Sequence, residues 1–263
     1  FLLAVDHKLE DQKVEDKYSY EVWAKKVGDS WKTYKPDETL KGGTDEEVTM
    51  LWANMKDNVD VMAFTKIGTI TIPTDQTSEV QLKQADVLYM PSTKYPPTNK
   101  GITVYLQHAM SKINLTIELG SEFEFTEDIN KKITDVKIDG SLVSGDLASG
   151  GIYDVLGDPQ TITPLYTGAT PFKKAEDGTI TKASATYEAI LIPQTIESGK
   201  FTVSFKVEGK LYEWTYNKEL TLDPNTAYTL KLIAGDDKVQ PASFSVAPWN
   251  PGNGENGEKK ETD

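Results

Sequence analysis

The chain has 263 residues, 41 acidic and 28 basic, for a formal net charge of −13. That length is enough to bury one large core or two ordinary ones. An acidic surface excludes nucleic acid as a partner, because phosphates need basic neutralisation. With 38% apolar and 26% charged residues the composition is globular, and with no cysteine there is neither a disulfide framework nor a thiolate metal site. All the basic residues are lysine, since the sequence contains no arginine. No apolar run approaches the roughly 20 residues of a membrane-spanning helix.

The opening Phe1-Leu2-Leu3-Ala4-Val5 is apolar but too short for a signal-peptide core and carries no basic flank. It reads as a strand or a removable plug. Tyr18, Tyr20, Val22 and Ala24 alternate, and Gly28-Asp29 turns the chain toward Trp31. Thr44 to Met55 is the one helix candidate, with Asp45-Glu46-Glu47 in its first turn. Val59–Phe64 and Ile67–Ile72 are short β-rich runs. The segment "YMPSTKYPPTNKG" from Tyr89 to Gly101, with three prolines, reads as a connector. It divides the chain into a first domain, 1–100, a second, 101–249, and a polar tail, 250–263, which has nothing to bury.

In "ITVYLQHAMSKINLTIEL", Val104, Leu106, His108 and Met110 alternate on even positions, then Ile113, Leu115, Ile117 and Leu119 on odd ones. That phase slip predicts a β-bulge at Ser111-Lys112. His108, in an apolar file beside it, is expected to be structural, its neutral ring bonding backbone at the disturbed ladder. Asp139-Gly140 is a hairpin-turn signal between Val136 and Val143. A two-residue loop at Glu208-Gly209 sets Val207 opposite Lys210, Phe205 opposite Tyr212, Val203 opposite Trp214 and Phe201 opposite Tyr216. Tyr228, Leu230 and Leu232 mark a further strand, and Phe244 and Val246 the last, before Trp249. Turn residues every eight to twelve positions fit an all-β sandwich.

Motifs of catalysis are missing. The only two histidines, His7 and His108, are far apart, and no zinc-hydrolase, serine-hydrolase or phosphate-loop pattern occurs. The expectation is no enzyme, no metal and no cofactor. Trp23, Trp31, Trp52, Trp214 and Trp249 are read as core residues rather than a sugar-stacking platform.

"LQHAMSKINLTIEL" resembles the His-Ala-(Leu/Met)-Ser-Lys-(Ile/Val) segment of the fimbrillin family of Bacteroidales, the type V, Mfa-like pilins. "VDVMAFTK" (59–66), "ADVLYM" (85–90), "YEAILIPQTI" (187–196), "FKVEGKLYEW" (205–214), "LDPNTAYTLKL" (222–232) and "FSVAPW" (244–249) follow in the family's order. The resemblance implies two consecutive transthyretin-like, Ig-like β-sandwiches with Greek-key-type connections. It also implies a structural or accessory subunit, tip subunits included, of bacterial surface fimbriae that serve adhesion. Such subunits are exported through the periplasm and outer membrane and assemble head-to-tail by donor-strand addition with other fimbrial subunits. A lipid anchor on the precursor is their only tie to the membrane, and host or bacterial surface molecules are their ligands. The resemblance also implies that many family precursors are cut by an arginine-specific protease, to which a chain without arginine offers no internal site; a genome biased toward lysine codons is the alternative reason for that absence. The candidate exchange residues are Phe1, Leu2, Leu3 and Val5 on the removable side and Val239, Phe244, Val246 and Trp249 on the donating side. One departure is plain: everything after Trp249 is polar, so a donor must come from Val239 to Trp249. If those residues instead close the second domain, the subunit accepts a strand without giving one. The alternative is a monomeric surface lipoprotein that binds glycan or another host ligand.

Overall fold

The computed structural model describes residues 2–6, 21–26, 32–34, 48–51, 56, 58–66, 68–97, 102–103, 106–120, 122–123, 132–148, 151–174, 176, 180–235 and 238–249. Phe1, His7, Tyr18, Tyr20, Trp31, Trp52 and the tail 250–263 lie outside them.

Among the described residues the fold is all-β apart from one short helix, and it is organised around the strand Ser111–Leu119. Its odd residues from Ile113 to Leu119 are almost fully buried, the period-two pattern of a strand with one face on a core. Both its edges are paired: Ser184–Leu191 runs antiparallel on one side, Thr226–Ala234 parallel on the other. The complete sheet has the order Leu165–Thr170, Ser184–Leu191, Ser111–Leu119, Thr226–Ala234, Val239–Pro248. A four-stranded sheet supplies the facing apolar file, in the order Gln160–Ile162, Ile133–Ser141, Thr202–Val207, Lys210–Thr215. Side chains of both sheets share one core, with Phe201, Phe205, Ile113, Leu115 and Ile138 among the most buried.

A second five-stranded sheet comes from the first half of the chain, in the order Lys32–Tyr34, Glu21–Lys26, Val59–Phe64, Leu88–Tyr95, Gln107–His108. A three-stranded sheet sets Leu2–Asp6 between Val48–Leu51 and Ile102–Thr103. The two halves are bonded together. Gly68–Thr71 pairs with Ser144–Ala148, and Gln76 both donates to and accepts from the backbone of Ile190 at 2.8 Å.

The dipeptide-turn hairpin forms in the expected register, with Phe205 opposite Tyr212 and Val203 opposite Trp214. The N–H of Tyr216 donates to the Phe201 carbonyl at 2.9 Å, extending that register to the fourth pair. Glu208 and Gly209 both have positive φ, 50° and 85°, as a two-residue turn with the right-handed twist requires.

Four local expectations are corrected. Residues Val48–Leu51 form a strand, not part of a helix, with their backbone in antiparallel register with Leu2–Val5. The helix is Glu79–Ala85 instead, started by a capping box in which Ser78 and Gln81 satisfy each other's backbone N–H. The proline-rich connector is a strand as far as Tyr95. Pro91 falls at a register shift against Val59–Phe64, where its missing N–H costs no ladder bond. Asp139-Gly140 is no hairpin turn: Ile133–Ser141 runs through it with an irregularity, and Gly140 holds φ +96° beneath the Lys200 carbonyl.

The phase slip in the 102–119 segment also has a different cause from the bulge expected at Ser111-Lys112. Gln107–His108 pairs with Leu88-Tyr89 in one five-stranded sheet, and Ser111–Leu119 begins the other. Ala109-Met110 is the bend between them. Ser111 and Lys112 themselves are regularly paired on both sides.

Both Gly140 and Gly209 hold positive φ, but only Gly140 has backbone where a Cβ would go. Gly209→Ala is expected to cost only the left-handed strain, ~1–2 kcal/mol. Gly140→Ala is expected to cost clearly more, because the Lys200 backbone must move. Urea unfolding of the two variants checks the order, and equal losses would contradict it.

Candidate assembly surface

The last strand, Val239–Pro248, pairs antiparallel along Thr226–Ala234 and borders no other strand among those described. Its side-chain register follows from its partners. Tyr228, Leu230, Leu232 and Ala234 are buried, so the residues opposite them, Val246, Phe244, Pro241 and Val239, point to the same side. Gln240, Ser243, Ser245 and Ala247 face solvent. The strand therefore turns an apolar file inward, as a strand closing its own sandwich does.

Two aromatic anchors hold it. Phe244 is half-buried, its ring 5.3 Å from Tyr216 and 6.2 Å from Tyr228. This links the edge of one sheet to the hairpin of the other. Trp249, just past the strand, lies flat on His108, with centroids 3.6 Å apart and planes within 3°. Its N–H donates to the Asn225 carbonyl at 2.7 Å. Val246, by contrast, remains 55% exposed.

His108 is 2% exposed. Its partner is the Asp86 carboxylate, 2.7 Å from Nδ1, rather than the backbone bond expected from the sequence. A carboxylate at that distance accepts, so in the neutral ring the proton sits on Nδ1. Nε2 is buried with no hydrogen-bond partner. Lys112 stands 5.8 Å from the Trp249 ring centroid and is paired with Glu188 at 3.0 Å. The imidazole thus acts as a platform fixed by Asp86 on one side and covered by tryptophan on a face.

The turn before Thr226–Ala234 completes the junction. Asn225 holds φ +52°, a conformation asparagine tolerates better than most residues. Its N–H donates to the Met110 carbonyl at 3.0 Å, and the Ser111 hydroxyl donates to the Asp223 carbonyl at 2.7 Å. The Tyr228 hydroxyl accepts from the Asp223 N–H and donates to the Thr221 carbonyl, the arrangement of a tyrosine corner in a sandwich. Burial pushes the Tyr228 phenol above its ordinary range, so it stays a neutral donor.

Of the candidate exchange residues, Val239, Phe244, Val246 and Trp249 are brought together on this strand and its end. Leu2, Leu3 and Val5 occupy a different sheet, at register positions opposite Leu51, Met50 and Val48. Phe1 lies outside the described residues. Asp86 was not singled out from sequence; it acts through a contact with His108, 22 residues along the chain, which no local pattern encodes. Among the described residues no group of three or more His, Asp or Glu is placed to hold a metal, and no helix is long and apolar enough to cross a membrane.

The sequence profile of a fimbrillin-like family matches residues 15–249. The chain belongs to the fimbrillin-like family. No curated protein sequence matches it. The fold recurs in solved structures. One is a putative cell adhesion protein from Bacteroides uniformis, with TM-score 0.65, 15% identity, and coverage of 94% of this chain and 98% of that one. Another is a putative cell adhesion protein from Bacteroides ovatus, with TM-score 0.62, 10% identity and coverage of 95% and 98%. A putative adhesin from Bacteroides thetaiotaomicron aligns with TM-score 0.53 and 10% identity over 93% and 96%.

If His108 is the platform for Trp249, His108→Leu leaves Asp86 without its partner and is expected to destabilise by ~1–3 kcal/mol. Trp249→Ala is expected to speed amide exchange at Ser245 and Ala247, while the Phe205–Tyr212 hairpin stays protected. An unchanged melting temperature in His108→Leu would contradict the role.

Proposed function

We propose that this chain is a non-catalytic component of bacterial surface fimbriae that takes a strand from a neighbouring subunit and keeps its own C-terminal strand. Membership of the fimbrillin-like family supports the fimbrial part, and the adhesion proteins that share the fold support a place at the cell surface. The observation that carries the non-donating part is the last strand. Val239–Pro248 lies in its own sheet with Phe244 and Trp249 anchored, so it is not free to be given away.

The exchangeable element in this account is Leu2–Asp6. It lies between Val48–Leu51, antiparallel, and Ile102–Thr103, parallel. Its removal uncovers two facing strand edges with unpaired backbone groups. An extended segment with alternating apolar side chains restores those bonds, and assembly by such insertion is head-to-tail. We read the chain as two sandwich units, 1–100 and 101–249, bonded by 68–76 of the first and by 102–108 of the second, whose short strands pair with Leu2–Asp6 and Leu88-Tyr89. Export through the periplasm, a lipid anchor on the precursor and a surface ligand on host or bacterium belong to the same proposal. An accessory or tip position suits a subunit that accepts without donating.

Deleting residues 1–6 is expected to raise the binding of an apolar dye, and a synthetic peptide of residues 1–6 is expected to reverse it. Immunogold labelling of cells is expected to mark filaments, concentrated at their ends. A deletion variant with unchanged dye binding contradicts strand acceptance. Label spread over the cell surface and absent from filaments contradicts the fimbrial assignment.

A further inference from the structure

The free edge of Val239–Pro248 is one of the edges to which a second copy can add a strand, since an edge strand displays unpaired N–H and C=O groups. Which groups it displays is fixed by two hydrogen bonds at its ends. The N–H of Trp249 donates to the Asn225 carbonyl, and the N–H of Gly235 donates to the Lys238 carbonyl. In an antiparallel ladder, mutually bonded pairs alternate with pairs whose backbone groups point away from each other. Counting inward from either end gives the same answer, because the register shift between Lys231 and Leu232 absorbs the extra residue. The residues that turn their backbone groups outward are Val239, Pro241, Phe244, Val246 and Pro248.

Two of these five outward positions are proline. A proline here costs the sheet nothing, because the N–H it lacks would have pointed away from Thr226–Ala234. What it removes is a donor to any incoming strand. We infer that Pro241 and Pro248 close this edge to strand addition, leaving only the Phe244 and Val246 N–H groups between them, too short a window for a stable ladder. The extra residue at the register shift bends the edge further from the flat geometry a second strand needs. The same pairing rule shows that this is a property of one edge and not of the whole sandwich. In Lys210–Thr215 the outward positions are Leu211, Glu213 and Thr215, and none is proline. The exposed Val246 on this edge is thereby kept from nucleating a sheet between copies, independently of any fimbrial role.

The test replaces both prolines with a strand-forming residue in the full chain, Pro241→Thr with Pro248→Thr. Light scattering after gel filtration is expected to show the wild type at its monomer mass and the double variant at dimer mass or above. Hydrogen exchange is expected to slow at Phe244 and Val246 by ~tenfold or more in the variant, as for amides newly held in a ladder. Adding Val246→Lys, an inward charge at the same edge, is expected to return the monomer. A double variant that stays monomeric overturns the inference. So does association that protects Leu211 and Glu213 while Phe244 and Val246 exchange as before. Should the double variant not melt cooperatively, Pro248→Thr alone, at an exposed strand end, carries the same test, and a monomer there overturns the inference.

Discussion

Three segments distant in sequence are tied at one point by a backbone relay. The N–H of Trp249 donates to the Asn225 carbonyl, and the N–H of Asn225 donates to the Met110 carbonyl. Met110 is the bend at which the chain leaves one five-stranded sheet and enters the other. The relay therefore fixes the end of the last strand, the turn into its neighbour and the start of the central strand together. His108 and Asp86 serve this point: the carboxylate orients the ring and the ring carries the tryptophan. Ser111 and Tyr228 satisfy their hydroxyls on backbone at this junction, whereas His108 Nε2 and Asn225 Oδ1 are buried without a partner.

That junction explains why the C-terminal strand behaves as part of the fold. Its inner file is apolar from Val239 to Val246, its backbone is paired along its length on one side, and its two large aromatics sit in different places. Withdrawing it would cost the ladder, the Phe244 contacts and the stack on His108 at once. Leu2–Asp6 makes a contrasting case: it is short and bridges strands of only four and two residues. An assembly reaction that exchanges a strand has less to break there.

Much of the architecture was legible because period-two patterns report directly on which face is buried. The Glu208-Gly209 hairpin is the clearest instance, since its loop length fixes a register that also sets aromatic residues opposite one another. The misreadings share a physical origin. Asp139-Gly140 looks like a hairpin turn and Pro91 like the start of a connector, but both sit in strands at irregularities, where a positive φ or a missing donor is accommodated. The phase slip before Ser111 signalled a disturbance correctly, yet a change of sheet and a bulge leave the same mark on the sequence. At the candidate site Phe244 and Trp249 stood out as apolar residues in a polar neighbourhood. Asp86 did not, because its role depends on a histidine 22 residues away that reaches it only after the sheets form.

The central claim is that the C-terminal strand stays in its own sheet while the subunit works. Thr229 and Ser245 are opposite each other on the two last strands, both exposed, and the chain has no cysteine of its own. Their separation as a bonded antiparallel pair, about 5.5 Å between Cα atoms, suits a disulfide. The most direct measurement is the recovery of a Thr229→Cys/Ser245→Cys chain from surface filaments under non-reducing conditions. The account predicts incorporation at the wild-type level with the disulfide intact. A stapled chain that is exported but missing from filaments, while Ser245→Cys alone is incorporated normally, would contradict it.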